Sequence, residues 1–443
     1  MPVPDALPVA ELDRLLATAQ AEQRMPSVSA CVFSDGEIVW ERALGVADVA
    51  TSRAATTDDV YRIGSITKTF TAVLVMQLVG EGRIDLEAPL RTYLPEAPVG
   101  PTIRMALSHL TGVQREPPGE IWESMQSPTR EELIGGLENA ELVLRPGEQW
   151  HYSNLVFALL GEIVMRVSGE SYEAVLQRRV LDPLGLVRTS MSPAAPTASP
   201  YFVDPYTDTV RDEPGPEVTE PTSAAGWLWS TAADLARWGA FLAGGNDAVL
   251  PKSLLDRMAR VQTMVDEESW NVGWGLGLGL YRRGDRVFAG HGGAMPGFLA
   301  SLVVHRGERT GAAVLMNTGA QAGPEALALD LSVAVLDAVP RIPALWAPAG
   351  APPTELEGIL GQWWTEGAEM ILSLRGDRFQ AELLGGPPGR NISTFEPEGG
   401  DRWRVVEGRE RGELLRAVRD DNGAVTKLYF ATYPLTRTPS TFG

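Results

Sequence analysis

The chain has 443 residues, 44% of them hydrophobic and 21% charged, which is the balance of a globular protein with material for a large domain and a small one. Its net charge of −19 repels polyanions and argues against nucleic acid as a partner. No apolar run approaches the roughly 18 residues that a bilayer span needs, and a single cysteine, Cys31, excludes an internal disulfide.

The opening MPVPDALPVAELDRLLATAQ lacks a basic stretch followed by an unbroken apolar one, so it does not read as a secretory signal; with the lone cysteine this points to the cytoplasm. Residues 8–24 carry helical spacing of Val9, Leu12, Leu15 and Leu16 after Pro8. SVSACVFS, the turn Asp35-Gly36 and EIVWERAL then read as a β-hairpin, with Cys31 as a buried strand residue. Residues 66–79 are apolar on almost every face, which predicts a helix buried at the centre of the fold and ended by Gly80 and Gly82.

The middle of the chain predicts helices over 155–168, 172–180 and 232–243, the last capped at Ser230-Thr231. Strand patterns return from about 272 to 317 in WGLGLGLYRR, RVFAGHG, FLASLVVH and GAAVLMNT, and a helix over 323–338 follows. Strands at both ends around a helical middle favour an α/β (α+β) domain over 1–340, with an antiparallel sheet flanked by helices and a helical subdomain. A Pro- and Ala-rich linker spans 341–353. Residues 354–443 alternate in short segments broken by turns such as Asp421-Asn422-Gly423, the pattern of a small all-β barrel.

Lysine is rare: Lys68, Lys252 and Lys427 are the three among 38 basic residues. A position that keeps lysine among arginines can need an amine able to lose its proton. Lys252 and Lys427 sit in surface-like stretches, whereas Lys68 lies in the buried helix behind Ser65. Residues three apart share a helix face, so the amine can reach the serine hydroxyl, and a water-poor interior lowers the amine pKa toward that of a base. Backbone N–H groups at the helix start can stabilise an oxyanion.

Tyr152-Ser153-Asn154 forms a second element, in which a phenol can shuttle a proton and an amide can orient a carbonyl or the lysine. His291-Gly292-Gly293 forms a third, on a strand whose glycines admit a substrate backbone and where the Ala294 N–H can complete an oxyanion hole with Ser65. Read singly, each has a plainer meaning: a capped serine with a solvated lysine, a loop entering a helix, a glycine-rich turn with an exposed histidine.

Taken together and in this order, the three elements resemble the penicillin-binding-protein and class C β-lactamase family of serine hydrolases over about residues 10–340. The S-x-x-K, Y-x-N and K-T-G motifs of that family correspond to Ser65–Lys68, Tyr152–Asn154 and His291–Gly293, and LSHLTGV, RPGEQWHYSN and GWLWSTAADLARW are also similar to it. The resemblance implies Ser65 as nucleophile, Lys68 as base and Tyr152 as proton shuttle. His291 departs from the lysine of the penicillin-specific members and is closer to the branch of D-aminopeptidases, esterases and peptide-cyclising thioesterases. Several of these carry an extra lipocalin-like β domain.

The leading expectation is a hydrolase or acyltransferase forming an acyl-Ser65 intermediate from an ester or amide of a D-amino acid or short peptide, with no cofactor or metal. Two alternatives stand beside it: a D,D-carboxypeptidase or β-lactamase, and a non-catalytic binding or sensor protein on the same fold. No G-x-S-x-G elbow, H-E-x-x-H pair or Walker loop supports another chemistry. His109 and His151 are expected to pack or hydrogen-bond, and His305 to end a strand with no evident partner. Arg437, near the end of the β domain, is a candidate for holding a substrate carboxylate.

Overall fold

The hairpin of the first strands organises the larger part of the molecule. In this computed structural model the described residues are 7–439 apart from 214, 216–219, 320–321, 340–344 and 388–389. The chain divides into two units, Met1–Arg341 and Ile342–Gly443.

In the first unit, β1 (Ser27–Ser34) and β2 (Glu37–Asp48) join through Asp35 and Gly36, which sit at φ 48° and 91°. Positive φ at both turn residues is the geometry that matches the twist of paired antiparallel strands. The sheet adds β3 (Arg53–Ala54), β4 (Thr263–Met264), β5 (Val272–Trp274), β6 (Gly279–Arg283), β7 (Arg286–Met295), β8 (Phe298–His305) and β9 (Thr310–Met316). The order is β3-β2-β1-β9-β8-β7-β6-β5-β4, antiparallel throughout, so the two ends of the unit meet where β1 pairs with β9.

Five helices matter for the site: α1 (Val9–Glu22), α2 (Thr67–Gly80), α3 (Asn154–Ser168), α4 (Ala232–Gly244) and α5 (Pro324–Ala338). Leu12 and Leu16 of α1 and Leu327, Leu331 and Val335 of α5 cover one sheet face, packing with Val28, Val32 and Val314. Cys31, Phe33, Leu302 and Leu315 face the other way, into a core shared with α2, α3 and α4. Both faces of the central strands are thus dry, which is why their sequences are nearly continuous apolar runs. Helix α2 is buried from Thr67 to Leu78, with Phe70 stacked 3.9 Å from Trp238. Two of its threonines are satisfied there: Trp238 Nε1 donates to Thr69 Oγ1 at 2.8 Å, and Thr71 bonds the Tyr172 hydroxyl at 2.6 Å.

Three local expectations change. WGLGLGLYRR is two strands, β5 and β6, because Gly277 (φ 74°) turns the chain in against α2, where a Cβ would lie 2.2 Å from that of Ala72. The helix after Ser171 is α-helical over Tyr172–Leu176 and widens into a π turn over Gln177–Leu181. The cap of α4 is Thr231, which accepts from Asp234 N, while Ser230 pairs in a two-residue strand with Tyr61.

Part of the anticipated linker, 341–344, lies outside the described residues, and 345–353 are exposed without regular structure. The second unit is an eight-stranded antiparallel sheet, β10 (Gly361–Thr365), β11 (Ala368–Arg375), β12 (Arg378–Leu383), β13 (Ile392–Pro397), β14 (Arg402–Glu407), β15 (Leu414–Arg419), β16 (Val425–Phe430) and β17 (Tyr433–Leu435) in sequence order. Trp364 and Thr436 exchange backbone hydrogen bonds of 2.8 and 3.0 Å, so the ends of the sheet nearly close into a barrel around Trp363, Phe379, Phe395 and Trp403. Among the described residues no helix is long and apolar enough to cross a membrane, and no group of three or more His, Cys, Asp or Glu converges as a metal site.

Candidate active site

The turn Gly64–Ile66 leads directly into α2, and Gly64 takes φ 50°. That turn lies against β7 with no room for side chains between them. A Cβ on Gly64 would approach Ala294 N to 2.5 Å, and one on Gly293 would strike the Ile63 carbonyl at 1.9 Å. The two glycines are therefore what brings the Ala294 backbone beside Ser65.

One turn into α2, Lys68 is fully buried. Its Nζ donates to Ser65 Oγ at 3.0 Å, to Asn154 Oδ1 at 2.7 Å and to the Ala225 carbonyl. Burial is the largest influence on the amine and lowers its pKa to about 7; the Glu116 carboxylate pulls it back up and Arg115 pushes it further down. Near neutral pH much of this lysine is an uncharged amine in contact with a hydroxyl, which is the state a base requires.

Tyr152 stands just before α3 with the Ser65 side chain acting on its phenol, and the Lys68 Nζ lies 5.0 Å from its ring centroid. Burial pushes this phenol above the ordinary tyrosine range and outweighs the lowering by Ser65 and Arg115. The resting phenol is therefore protonated, and the free amine of Lys68 is the better base of the two.

Asn154, first residue of α3, spans two partners: Oδ1 accepts from Lys68 and Nδ2 donates to Glu116 Oε1 at 2.7 Å. This is the orientation in which both an ammonium and a carboxylate are satisfied. Sequence reasoning passed over Glu116, which lies in the loop VQREPPGE without a motif of its own; its link to the site exists only in space.

His291 is buried, not exposed. Its Nδ1 lies 2.5 Å from the Gly292 carbonyl, so that nitrogen carries the proton, and Nε2 has no hydrogen-bond partner among the described residues. Burial first, then the nearby Lys68, lowers its pKa to about 3, so the ring is neutral and does not supply the cation of a lysine at this place.

Ser65 opens on a cleft with two arms. A narrow arm with a cavity volume of about 60 Å³ is lined by Pro117, Ile121, Trp122, Ala158, Trp227 and Met295 among others. A wide, open arm holds Trp150, Tyr152, Trp274, His291 and the carboxylates of Glu213 and Glu325. Ser65, Glu116, Trp122, Asn154 and Ala294 border both.

Other candidates go elsewhere. Arg437 lies flat on Trp363, 3.8 Å from the ring centroid, and donates to the carbonyls of Gln362, Gly358 and Leu360 inside its own barrel. These three bonds tie the guanidinium to its own unit, while the residue as a whole stays exposed. Cys31 is buried with its thiol pushed far above the usual range by desolvation, an inert core residue. His305 Nδ1 accepts from Glu308 N at 3.2 Å and ties its own hairpin. His151 N donates to the His109 carbonyl at 2.8 Å, so both residues hold the loop before Tyr152.

Residues 12–335 match the Beta-lactamase family, and 352–437 match a domain of unknown function, DUF7586. Esterase EstB of Burkholderia gladioli is 29% identical over 309 residues, covering 60% of this chain and 78% of the esterase. A D-stereospecific amidohydrolase from Streptomyces sp. has a similar structure (TM-score 0.62, 28% identity, 73% of this chain and 98% of that one). The octameric penicillin-binding protein homologue from Pyrococcus abyssi shares the fold over 97% of this chain and all of its own (TM-score 0.67, 24% identity). With the Beta-lactamase match spanning most of its length, the chain belongs to the class C β-lactamase and penicillin-binding-protein-like family of serine hydrolases.

Proposed function

We propose that this protein transfers acyl groups through Ser65, from esters or amides of D-amino acids or short peptides to water or to a second nucleophile. The observation that carries the reading is the buried Lys68 amine, with a pKa near 7 and 3.0 Å from the Ser65 hydroxyl. The neutral amine takes the hydroxyl proton as Ser65 Oγ bonds to the substrate carbonyl carbon. The carbonyl oxygen becomes an oxyanion held by the N–H groups of Ser65 and Ala294. The Tyr152 hydroxyl gives its proton to the leaving oxygen or nitrogen as the C–O or C–N bond breaks, and the phenol is reprotonated from Lys68. Water or an amine then attacks the acyl-Ser65 ester by the reverse sequence.

The narrow apolar arm suits an apolar side chain of the donor, and likeness to an esterase and to a D-stereospecific amidohydrolase supports ester and D-amino-acid amide donors. The neutral His291 argues against efficient capture of a penicillin carboxylate. Intact-protein mass after mixing wild type and Ser65→Ala with D- and L-aminoacyl esters, an aryl ester and a penicillin tests this. An adduct or product that needs Ser65 supports the reading, and the donor that gives it selects the branch. No adduct and no turnover from any donor moves the weight to a binding protein on the same fold.

A further inference from the structure

His109 stands in LSHLTGV, outside the three motifs, and takes φ 55°, a conformation that residues with a Cβ rarely adopt. A strained backbone at a fully buried residue points to what holds it there. Its carbonyl accepts from His151 N at 2.8 Å and its ring Nδ1 accepts from Ser153 N at 3.1 Å. The residues on either side of Tyr152 are thus both tied to this one histidine. Between the two ties, its ring packs on the Tyr152 ring at 4.3 Å and 31°. Phe157 of α3 and Trp274 of β5 brace the imidazole in turn, each at 5.1 Å.

We propose that His109 is the positioning residue of Tyr152, fixing the backbone on both sides of the tyrosine and the plane of its ring so that the phenol meets Ser65. The inference rests on the reading of Tyr152 as the group that protonates the leaving atom. The side chain acting on the phenol is Ser65, the group it serves, so its aim is set by the backbone beside it and the surface beneath it. Because Nδ1 accepts, the imidazole is neutral with its proton on Nε2. Burial, the largest influence on the ring, holds it in that state. No other side chain combines the acceptor at that place with a flat surface for the phenol. Asparagine keeps the acceptor and tolerates the left-handed backbone, and phenylalanine keeps the flat ring alone.

The test compares aryl-ester kinetics of His109→Phe and His109→Asn, each alone and combined with Tyr152→Phe. A misaimed proton donor is expected to lower kcat on the order of 10- to 100-fold in His109→Phe while KM changes by about twofold or less. His109→Asn recovers part of that loss. In the Tyr152→Phe background both changes cost little more, about threefold or less, because they act through a group already removed. A wild-type kcat in His109→Phe, or a full multiplicative loss in the Tyr152→Phe background, overturns the positioning role. Should His109→Phe fail to fold, His109→Asn carries the same comparison. Tyr152→Phe at wild-type rate would instead sink the catalytic reading of Tyr152, and this inference with it; a slow Tyr152→Phe beside a normal His109→Phe sinks the inference alone.

Discussion

Replacing Lys68 by arginine keeps the positive charge and the hydrogen-bond donors but removes the ability to give up a proton, since a guanidinium stays charged in proteins. If Lys68 is the base, Lys68→Arg loses the contribution of general-base catalysis, about 10²- to 10⁴-fold in kcat/KM, or roughly 3–5 kcal/mol of transition-state stabilisation. The same amine sets the pH dependence. With its pKa at about 7, the wild-type rate rises with pH through 7 and levels above it, as the neutral form fills. Linkage gives an independent check, using Lys68→Met as the reference. The folded pKa lies below the unfolded value, so both states are protonated below pH 7 and the folded protein bears the full cost of a buried ammonium. Between about 7 and 10.5 the unfolded chain binds more protons, and wild-type stability relative to Lys68→Met rises by up to about 1.4 kcal/mol per pH unit. Aryl-ester hydrolysis across pH 5–9 and urea unfolding of wild type and Lys68→Met across pH 6–10 measure the two. Lys68→Arg within tenfold of wild type, or a rate flat through pH 7, would refute the assignment of the base.

Glu116→Gln removes the carboxylate that raises the Lys68 pKa, so the midpoint of the pH–rate profile should move to lower pH; an unmoved or raised midpoint counts against the coupling through Asn154. Gly293→Ala puts a methyl onto the Ile63 carbonyl and pushes β7 off the Ser65 turn, costing about 10²- to 10³-fold in kcat, as loss of an oxyanion donor does. Gly292→Ala meets nothing within 4 Å and is the matched control; equal kinetics for the two variants would remove Ala294 from the oxyanion hole. Arg437→Ala should leave ester kinetics unchanged for donors with and without a carboxylate, while lowering the stability of the second unit by about 1–3 kcal/mol through three unpaired carbonyls. Thermal unfolding followed by calorimetry separates that outcome from a catalytic one.

The features legible in the sequence are those that neighbours along the chain dictate. The Asp35-Gly36 turn, the all-round apolar pattern of α2 and the three-residue step from Ser65 to Lys68 need only local geometry. Several strands of the second unit alternate clearly, yet β13 and β17 were not anticipated: β13 buries three consecutive residues instead of alternating, and β17 is three residues long. The break between β5 and β6 was also hidden: it depends on how closely Gly277 approaches Ala72, a contact between segments about 200 residues apart.

By itself, then, the sequence determined the order of the elements and placed a serine and a lysine on one face of a buried helix, since helix periodicity is a local property. Only the tertiary structure decided what those groups experience. The Lys68 amine is shifted by the walls that α3 and the Glu220–Gly226 helix build around it, and by the charge of Glu116, which Asn154 holds nearby. His291 is neutral because the sheet buries it, and Arg437 lies over Trp363 because the ends of the barrel strands meet there. Desolvation and hydrogen bonding depend on which surfaces meet, and that is settled when distant segments pack.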